Sequence, residues 1–201
     1  MTSPTVLKVI DQIKENRVRF EAFCRSLSDE QLARPVPENT WNVKDFIAHL
    51  STLDPMLEHW FTGVANGEPD AGTRTPDGQL LELDDWNEQV VVERRSWTLD
   101  QLFDEAGENR AKLIEAMLRL EDEHIDRITH FSGDNKRPPV DIPLKLFIRG
   151  WARHDAIHVG DMLKALPERA DDPDLVAWLD DPAVKWYQNA MAGPSPRLSS
   201  E

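Results

Sequence analysis

The stretch RGWARHDAIHVGDM, residues 149–162, decides how this sequence is interpreted, because its pattern is that of an amphipathic helix. His154 and His158 stand four residues apart, so in a helix their rings project from the same face, one turn apart. Four apolar residues fall on that face as well: Phe147, Trp151, Met162 and Ala165. The pattern therefore predicts two buried histidines at the spacing that lets two rings share a metal ion.

A third histidine, His49, has the same kind of position on another predicted helix. Its helix face carries only apolar neighbours, namely Phe46, Leu53, Met56 and Trp60. The other histidines, His59, His124 and His130, fall on a more polar helix face or in a charged connecting segment. We therefore expect His49, His154 and His158 to point into one core.

Four long amphipathic segments determine the predicted fold class. They start near Pro4, Asn42, Thr98 and Asp141, where Ser3, Asn42, Thr98 and Asp141 supply N-cap side chains. Pro55 should interrupt the second segment, because proline cannot donate a backbone hydrogen bond. With no convincing alternation typical of strands, the sequence predicts an all-α protein, an antiparallel four-helix bundle.

The segments around the last long helix complete the predicted organisation. Residues 121–140 are charged and end in prolines, which predicts a connection between the third and the last long helix. One continuous helix should then run from Asp141 to near Pro167. The Asp-Pro pairs at 172 and 181 predict short helices, so we expect a bundle over residues 1–170 and, over 171–201, a short helical extension with a disordered tail.

Charge and composition exclude several classes of function. The 201 residues include 23 Lys and Arg against 37 Asp and Glu, a formal net charge of -14, which would repel nucleic acid and anionic lipid. The sequence contains neither an apolar run long enough to span a membrane nor a signal-peptide core. A single cysteine, Cys24, excludes an internal disulfide. These features predict a cytoplasmic protein that binds neither nucleic acid nor membranes.

Three histidine ligands suit a catalytic metal site better than a structural one. Structural zinc sites are closed by four ligands, whereas catalytic sites use three and leave a position for water or substrate. Cys24 could be a fourth ligand, but a lone cysteine on an apolar helix face is more often a packing residue. The alternative to a metal site is a set of core histidines that hydrogen-bond Asp or backbone groups.

Further polar and aromatic residues are candidates for supporting roles. Asp161, Asp155 and Asn109 could accept the second ring N–H of a metal-bound histidine. Trp41 and Trp151 are candidate substrate contacts, although tryptophans in such positions are more often packing residues. Arg153 could bind an anionic substrate or form a salt bridge on the acidic surface.

Three strings in the sequence resemble a known family: TWNVKDFIAHL (40–50), WNEQVVVERR (86–95) and RHDAIHVGDM (153–162). They resemble the DinB-like superfamily of four-helix bundles, and within it the N-terminal domain of mycothiol-dependent maleylpyruvate isomerases, over roughly residues 4 to 166. The isomerase pattern has a carboxylate where this sequence has His154.

The resemblance implies a divalent metal (zinc, nickel or iron) held by His49, His154 and His158. It also implies a transferase or isomerase that acts on a small-molecule substrate with a low-molecular-weight thiol, mycothiol or bacillithiol. A homodimer is implied too, although no surface feature of the sequence indicates one. Two alternatives stay open: a metal-dependent hydrolase of a small substrate, and a stress-related binding protein without catalytic activity.

Overall fold

The computed structural model describes residues 1–68, 79, 82–131 and 138–192 and is mostly helical. It contains eleven α-helices within these ranges: α1 (Pro4–Arg25), α2 (Asp29–Leu32), α3 (Val43–Thr52), α4 (Asp54–Ala65), α5 (Leu83–Arg94), α6 (Leu99–Met117), α7 (Asp122–Ile125), α8 (Leu144–Trp151), α9 (His154–Leu163), α10 (Pro173–Leu179) and α11 (Pro182–Ala192). Strands β1 (Ile128–Phe131) and β2 (Val140–Pro143) form a two-stranded sheet, and a 3-10 turn spans Pro167–Arg169. No helix within the described ranges is long and apolar enough to cross a membrane.

The predicted helix starts are confirmed where polar side chains cap them. Ser3 accepts a hydrogen bond from the Thr5 amide at the start of α1. The pairs Ser28–Gln31, Asn42–Asp45 and Thr98–Gln101 form capping boxes, in which each side chain bonds the backbone of the other residue. The break at Pro55 is also confirmed, since α3 ends at Thr52 and α4 restarts at Asp54.

The expectation of a protein without strands was wrong for the connection at residues 121–140, and so was the helix cap at Asp141. The chain forms the short helix α7 and then an antiparallel hairpin, in which His130 lies opposite Asp141. Asp141 is therefore a strand residue and not a helix cap, and α8 begins after Pro143 without any side-chain cap. Ile128, Val140 and their β-branched neighbours favour the extended backbone, which they can adopt because the two strands pair.

The prediction of one continuous last helix was also wrong, because the helix breaks in two immediately before His154. The amide of Arg153 bonds the Gly150 carbonyl, three residues back, and Arg153 has φ of -106° and ψ of 3° outside the helical region. Gly150 is a poor helix former close to that point. Helix α9 restarts at His154, so this histidine lies in the first turn of its own helix.

Two clusters of buried apolar side chains hold the helices together. Helix α6 packs along α3 and α4, while α1 packs against α8 and α9. The predicted short helices α10 and α11 are confirmed, and both pack on α9. Leu175, Trp178 and Val184 of this extension are buried in the same cluster as residues of α1, α3 and α9. The tail from residue 193 onward lies outside the described residues.

Candidate metal centre

The structure brings His49, on α3, together with His154 and His158, which both lie on α9. One ligand atom from each of the three residues can be chosen so that all three atoms lie within 4.8 Å of one another. The Nε2 atoms of His154 and His158 are 3.1 Å apart, and the ring centroids of His49 and His158 are 5.1 Å apart. Two nitrogens on one tetrahedral zinc ion would be separated by about 3.4 Å, so this spacing suits a shared cation.

Burial keeps two of these rings in the uncharged form that binds metals. His49 is only 5% exposed, and Nδ1 of His154 is buried. Burial lowers the pKa of His49 and of His154 well below 6.5, and the neighbouring His158 lowers both further. For His49, an interaction with the side chain of Asn87 opposes the shift in pKa only in part. Neutral imidazoles carry the free lone pair that a cation needs.

Unpaired ring atoms favour metal ligands over ordinary core histidines. Within the described part of the chain, His49 Nδ1 and His154 Nδ1 are buried without a hydrogen-bond partner. A core histidine kept for packing would normally have its buried nitrogens paired. The donor set of three imidazoles is one that zinc, nickel and iron accept. The residues present therefore fit a divalent cation.

Asp161 is the carboxylate that orients a histidine of this cluster. Its Oδ2 lies 3.1 Å from His158 Nδ1, and its Oδ1 accepts a hydrogen bond from Lys164 at 2.8 Å. Burial raises the pKa of Asp161, but the hydrogen bonds from His158 and Lys164 outweigh this and hold the pKa below its usual value. When the carboxylate accepts the Nδ1 proton of His158, the lone pair of Nε2 faces His154.

The other two candidates for orienting the histidines bond elsewhere. Asp155 forms a bidentate ion pair with Arg17, with both N–O distances 2.9 Å. Asn109 donates to the carbonyl of Ser51 at 2.9 Å. Both residues thus connect helices near the cluster through these bonds and do not orient its rings directly. Arg110, paired with Asp54, lies 3.8 Å from Asp155 and extends this buried network of charges.

A cavity of about 710 Å³ opens onto the histidines. Trp41 and Trp151, the predicted substrate contacts, both line it. Trp151 stacks on His154 with centroids 4.2 Å apart and planes at 17°, and Trp41 lies 5.0 Å from His49. A volume of this size is typical of sites for small molecules.

Of the two roles considered for Arg153, substrate binding and a surface salt bridge, the structure shows the salt bridge. Its Nε donates to Asp181 at 2.8 Å, and its guanidinium also bonds the Arg149 carbonyl. It therefore fastens the start of α11 to the start of α9. Cys24 is buried in the apolar core, where burial raises its pKa well above 9.0, so it is a packing residue.

Several lining residues were not found from the sequence. Thr129, His130 and Ile142 of the hairpin reach the cavity, as do Asn87 and Glu88 of α5. No local signal identified the hairpin residues, because residues 121–140 were predicted to have no strands. Glu88 accepts a hydrogen bond from the Trp41 indole at 2.8 Å and so fixes one wall.

Comparison with known proteins gives a family and a shared fold. A family model described as the DinB superfamily matches residues 12–162. No curated protein matches the sequence. The crystal structure of the mycothiol-dependent maleylpyruvate isomerase is similar, with a TM-score of 0.57 and 13% identity over 81% of this chain and 63% of that chain. A structure of a histidine-to-alanine mutant of that enzyme has a TM-score of 0.56 with the same identity and coverage. This chain thus spans less than two thirds of their length, and the likeness concerns the fold.

Proposed function

Because the chain belongs to the DinB superfamily, we propose that it is a metal-dependent enzyme that acts on a small molecule with a low-molecular-weight thiol. In this proposal His49, His154 and His158 hold one divalent cation, and mycothiol or bacillithiol is the thiol. The observation that carries the proposal is the convergence of three imidazoles, two of which have an unpaired buried nitrogen, beside a cavity of about 710 Å³.

We also propose that the scaffold is a four-helix bundle made by α1, α3 with α4, α6, and α8 with α9. The packing of α6 along α3 and α4, and of α1 along α8 and α9, supports this arrangement. Residues 1–170 would then form the bundle domain, and the extension from residue 171 would close one side of it through α10 and α11.

The residues around the site would bind the cation, orient the histidine rings and shield the reacting atoms from bulk water. Asp161 holds the ring of His158 through Nδ1, and Trp151 holds the ring of His154 by stacking. A divalent cation bound there would lower the pKa of a coordinated thiol or water enough to make it a nucleophile near neutral pH. Trp41, Trp60 and Phe147 line the cavity and would exclude bulk water from the reacting sulfur.

The proposal is tested with mycothiol or bacillithiol and a chlorinated aromatic acceptor. In the expected reaction a sulfur–carbon bond forms as chloride leaves and the thiol proton passes to solvent, so conjugate and chloride appear in equal amounts. The protein is loaded with zinc, nickel or iron(II) and compared with His158→Ala and with His59→Ala, whose histidine is exposed and lies outside the cavity lining.

We expect the wild type and His59→Ala to form conjugate and His158→Ala to lose at least about 100-fold in rate, since one of three ligands is removed. Conjugate formation at the same rate by His158→Ala would contradict the proposal. Turnover of esters or amides without any thiol would instead identify a hydrolase built on the same three histidines.

A further inference from the structure

Aromatic side chains form much of the cavity wall. Six Phe, Tyr and Trp residues contribute rings to the lining: Trp41, Phe46, Trp60, Phe147, Trp151 and Tyr187. The faces of aromatic rings carry partial negative charge and attract cations, most strongly for tryptophan. A wall of this kind therefore accepts an apolar group and, beside it, a positive charge.

Carboxylates outnumber cationic side chains in the same lining. Five carboxylates belong to it: Glu38, Asp84, Asp85, Glu88 and Asp161. Among the described lining residues, Lys164 is the only Lys or Arg, and it is paired with Asp161. The charges on the cavity wall would therefore repel a carboxylate ligand and attract an ammonium ligand.

Two of these carboxylates, Glu38 and Asp85, have no ion-pair or hydrogen-bond partner among the described residues. Glu88 differs, because Trp41 and Arg95 both bind it. Glu38 has φ of 62°, a conformation that is uncommon for a residue other than glycine. The turn that holds it is closed by the hydrogen bond from the Val36 amide to the Trp41 carbonyl at 2.9 Å. The backbone thus keeps Glu38 at the cavity next to an aromatic wall.

We propose that this cavity selects ligands in which an apolar or aromatic body carries an amine or quaternary ammonium group, in preference to carboxylates. His49 lines the same cavity and is only 5% exposed, and its Nδ1 has no hydrogen-bond partner. The lining therefore also contains an unpaired polar atom near the histidines. As a statement about the substrate class, the proposal rests on the proposed function. It separates this chain from an enzyme for an organic acid such as the maleylpyruvate after which its structural neighbour is named.

The test uses chelator-treated protein, so that a metal ion cannot attract the anionic probe. Three probes of similar shape are benzylamine, benzyl alcohol and benzoate, which are cationic, neutral and anionic at pH 7. Binding is followed at low ionic strength by the fluorescence of the tryptophans that line the cavity. We expect benzylamine to bind at least about tenfold more tightly than benzoate, with benzyl alcohol between them.

A double variant tests whether the unpaired carboxylates cause the preference for benzylamine over benzoate. Glu38→Gln with Asp85→Asn removes the two unpaired carboxylates and should reduce the ratio of benzylamine to benzoate affinity to within about twofold of one. Asp11→Asn with Glu115→Gln changes the net charge equally at exposed positions outside the lining, and should keep most of the preference.

Equal or tighter binding of benzoate, no saturable binding of benzylamine, or an unchanged ratio in the first double variant would overturn the proposal. Because the binding test is done without metal, its result does not depend on whether the proposed metal-dependent reaction takes place. A protein that binds metal but not benzylamine would retain the proposed function and lose this inference.

Discussion

At the scale of single residues, the contact between Asp161 and His158 controls how firmly the ring is oriented. Replacing Asp161 with Asn removes the charged acceptor of the Nδ1 proton while keeping the size of the side chain. We expect metal affinity to fall about 10- to 100-fold, as happens when such a supporting carboxylate is lost. Competition of the protein with a chromogenic chelator measures this affinity.

Lys164→Ala is the control for that substitution. It removes the other partner of Asp161, at 2.8 Å, but leaves the contact with His158. Its effect on metal affinity should be less than about threefold, because the lysine is half exposed and its charge is screened. Equal losses in Asp161→Asn and Lys164→Ala would show that charge near the site, and not ring orientation, matters.

The lowered pKa of His154 makes the stability of the metal-free protein depend on pH. Burial, and then His158, hold the pKa of His154 below 6.5 in the folded state, whereas in the unfolded chain it takes up a proton near pH 6.5. The free energy of unfolding therefore keeps its full value above pH 6.5 and decreases as the pH falls. The decrease is up to about 1.4 kcal/mol per pH unit for each such histidine.

Urea unfolding of chelator-treated protein at pH 7.5 and 5.5 measures this dependence. His154→Phe keeps an aromatic ring against Trp151 but cannot be protonated, so the loss of stability on acidification should be smaller in the variant. The same loss in both proteins would mean that His154 is readily protonated in the folded state.

Residue-level prediction worked where a residue's position depends on helical period alone. His49, His154 and His158 each lie on an apolar helix face, and the structure gathers them as that pattern indicated. Asp155 looked equally suitable as a support for the rings. Its partner Arg17 lies 138 residues away in sequence, and such a pairing leaves no trace in the local pattern.

At the scale of elements, the hairpin and the helix break before His154 could not be predicted from the sequence. A strand of four residues is held mainly by its partner strand, so neither β1 nor β2 has a strong signal of its own. The break at Arg153 moves His154 to the start of α9. The two histidines still share a face, since both fall within the ten residues of one helix.

The extension formed by α10 and α11 provides a matched pair of substitutions. Trp178 is 8% exposed and donates to Asn16 at 2.6 Å, whereas Trp186 is 71% exposed. Trp178→Ala should lower the free energy of unfolding by about 3–5 kcal/mol, because it opens a cavity in the main core. Trp186→Ala should change it by less than about 0.5 kcal/mol.

Chemical unfolding of the two tryptophan variants decides whether the extension belongs to the same cooperative unit as the helices before it. Equal stabilities for both would mean that α10 contributes nothing to the fold. A large effect of Trp178→Ala alone would show that the packing of the extension on α9 stabilises the helix that carries His154 and His158.

At the scale of the whole molecule, the site is assembled from distant parts of the sequence. Helices α3, α5, α8 and α9, the hairpin and α11 all contribute to the cavity. The helical content and the histidine positions could be predicted, because both follow from periodicity within one segment. The cavity could not, because its shape depends on how segments more than a hundred residues apart pack together.

The central claim is that the three histidines hold one divalent cation, and elemental analysis tests it most directly. The protein is purified without a polyhistidine tag, and its metal content is measured beside His49→Ala, His158→Ala and the exposed control His59→Ala. The account predicts about one ion per chain in the wild type and in His59→Ala, and a loss of the ion from both other variants. Metal far below one ion per chain after reloading, or metal retained equally by His158→Ala, would contradict it.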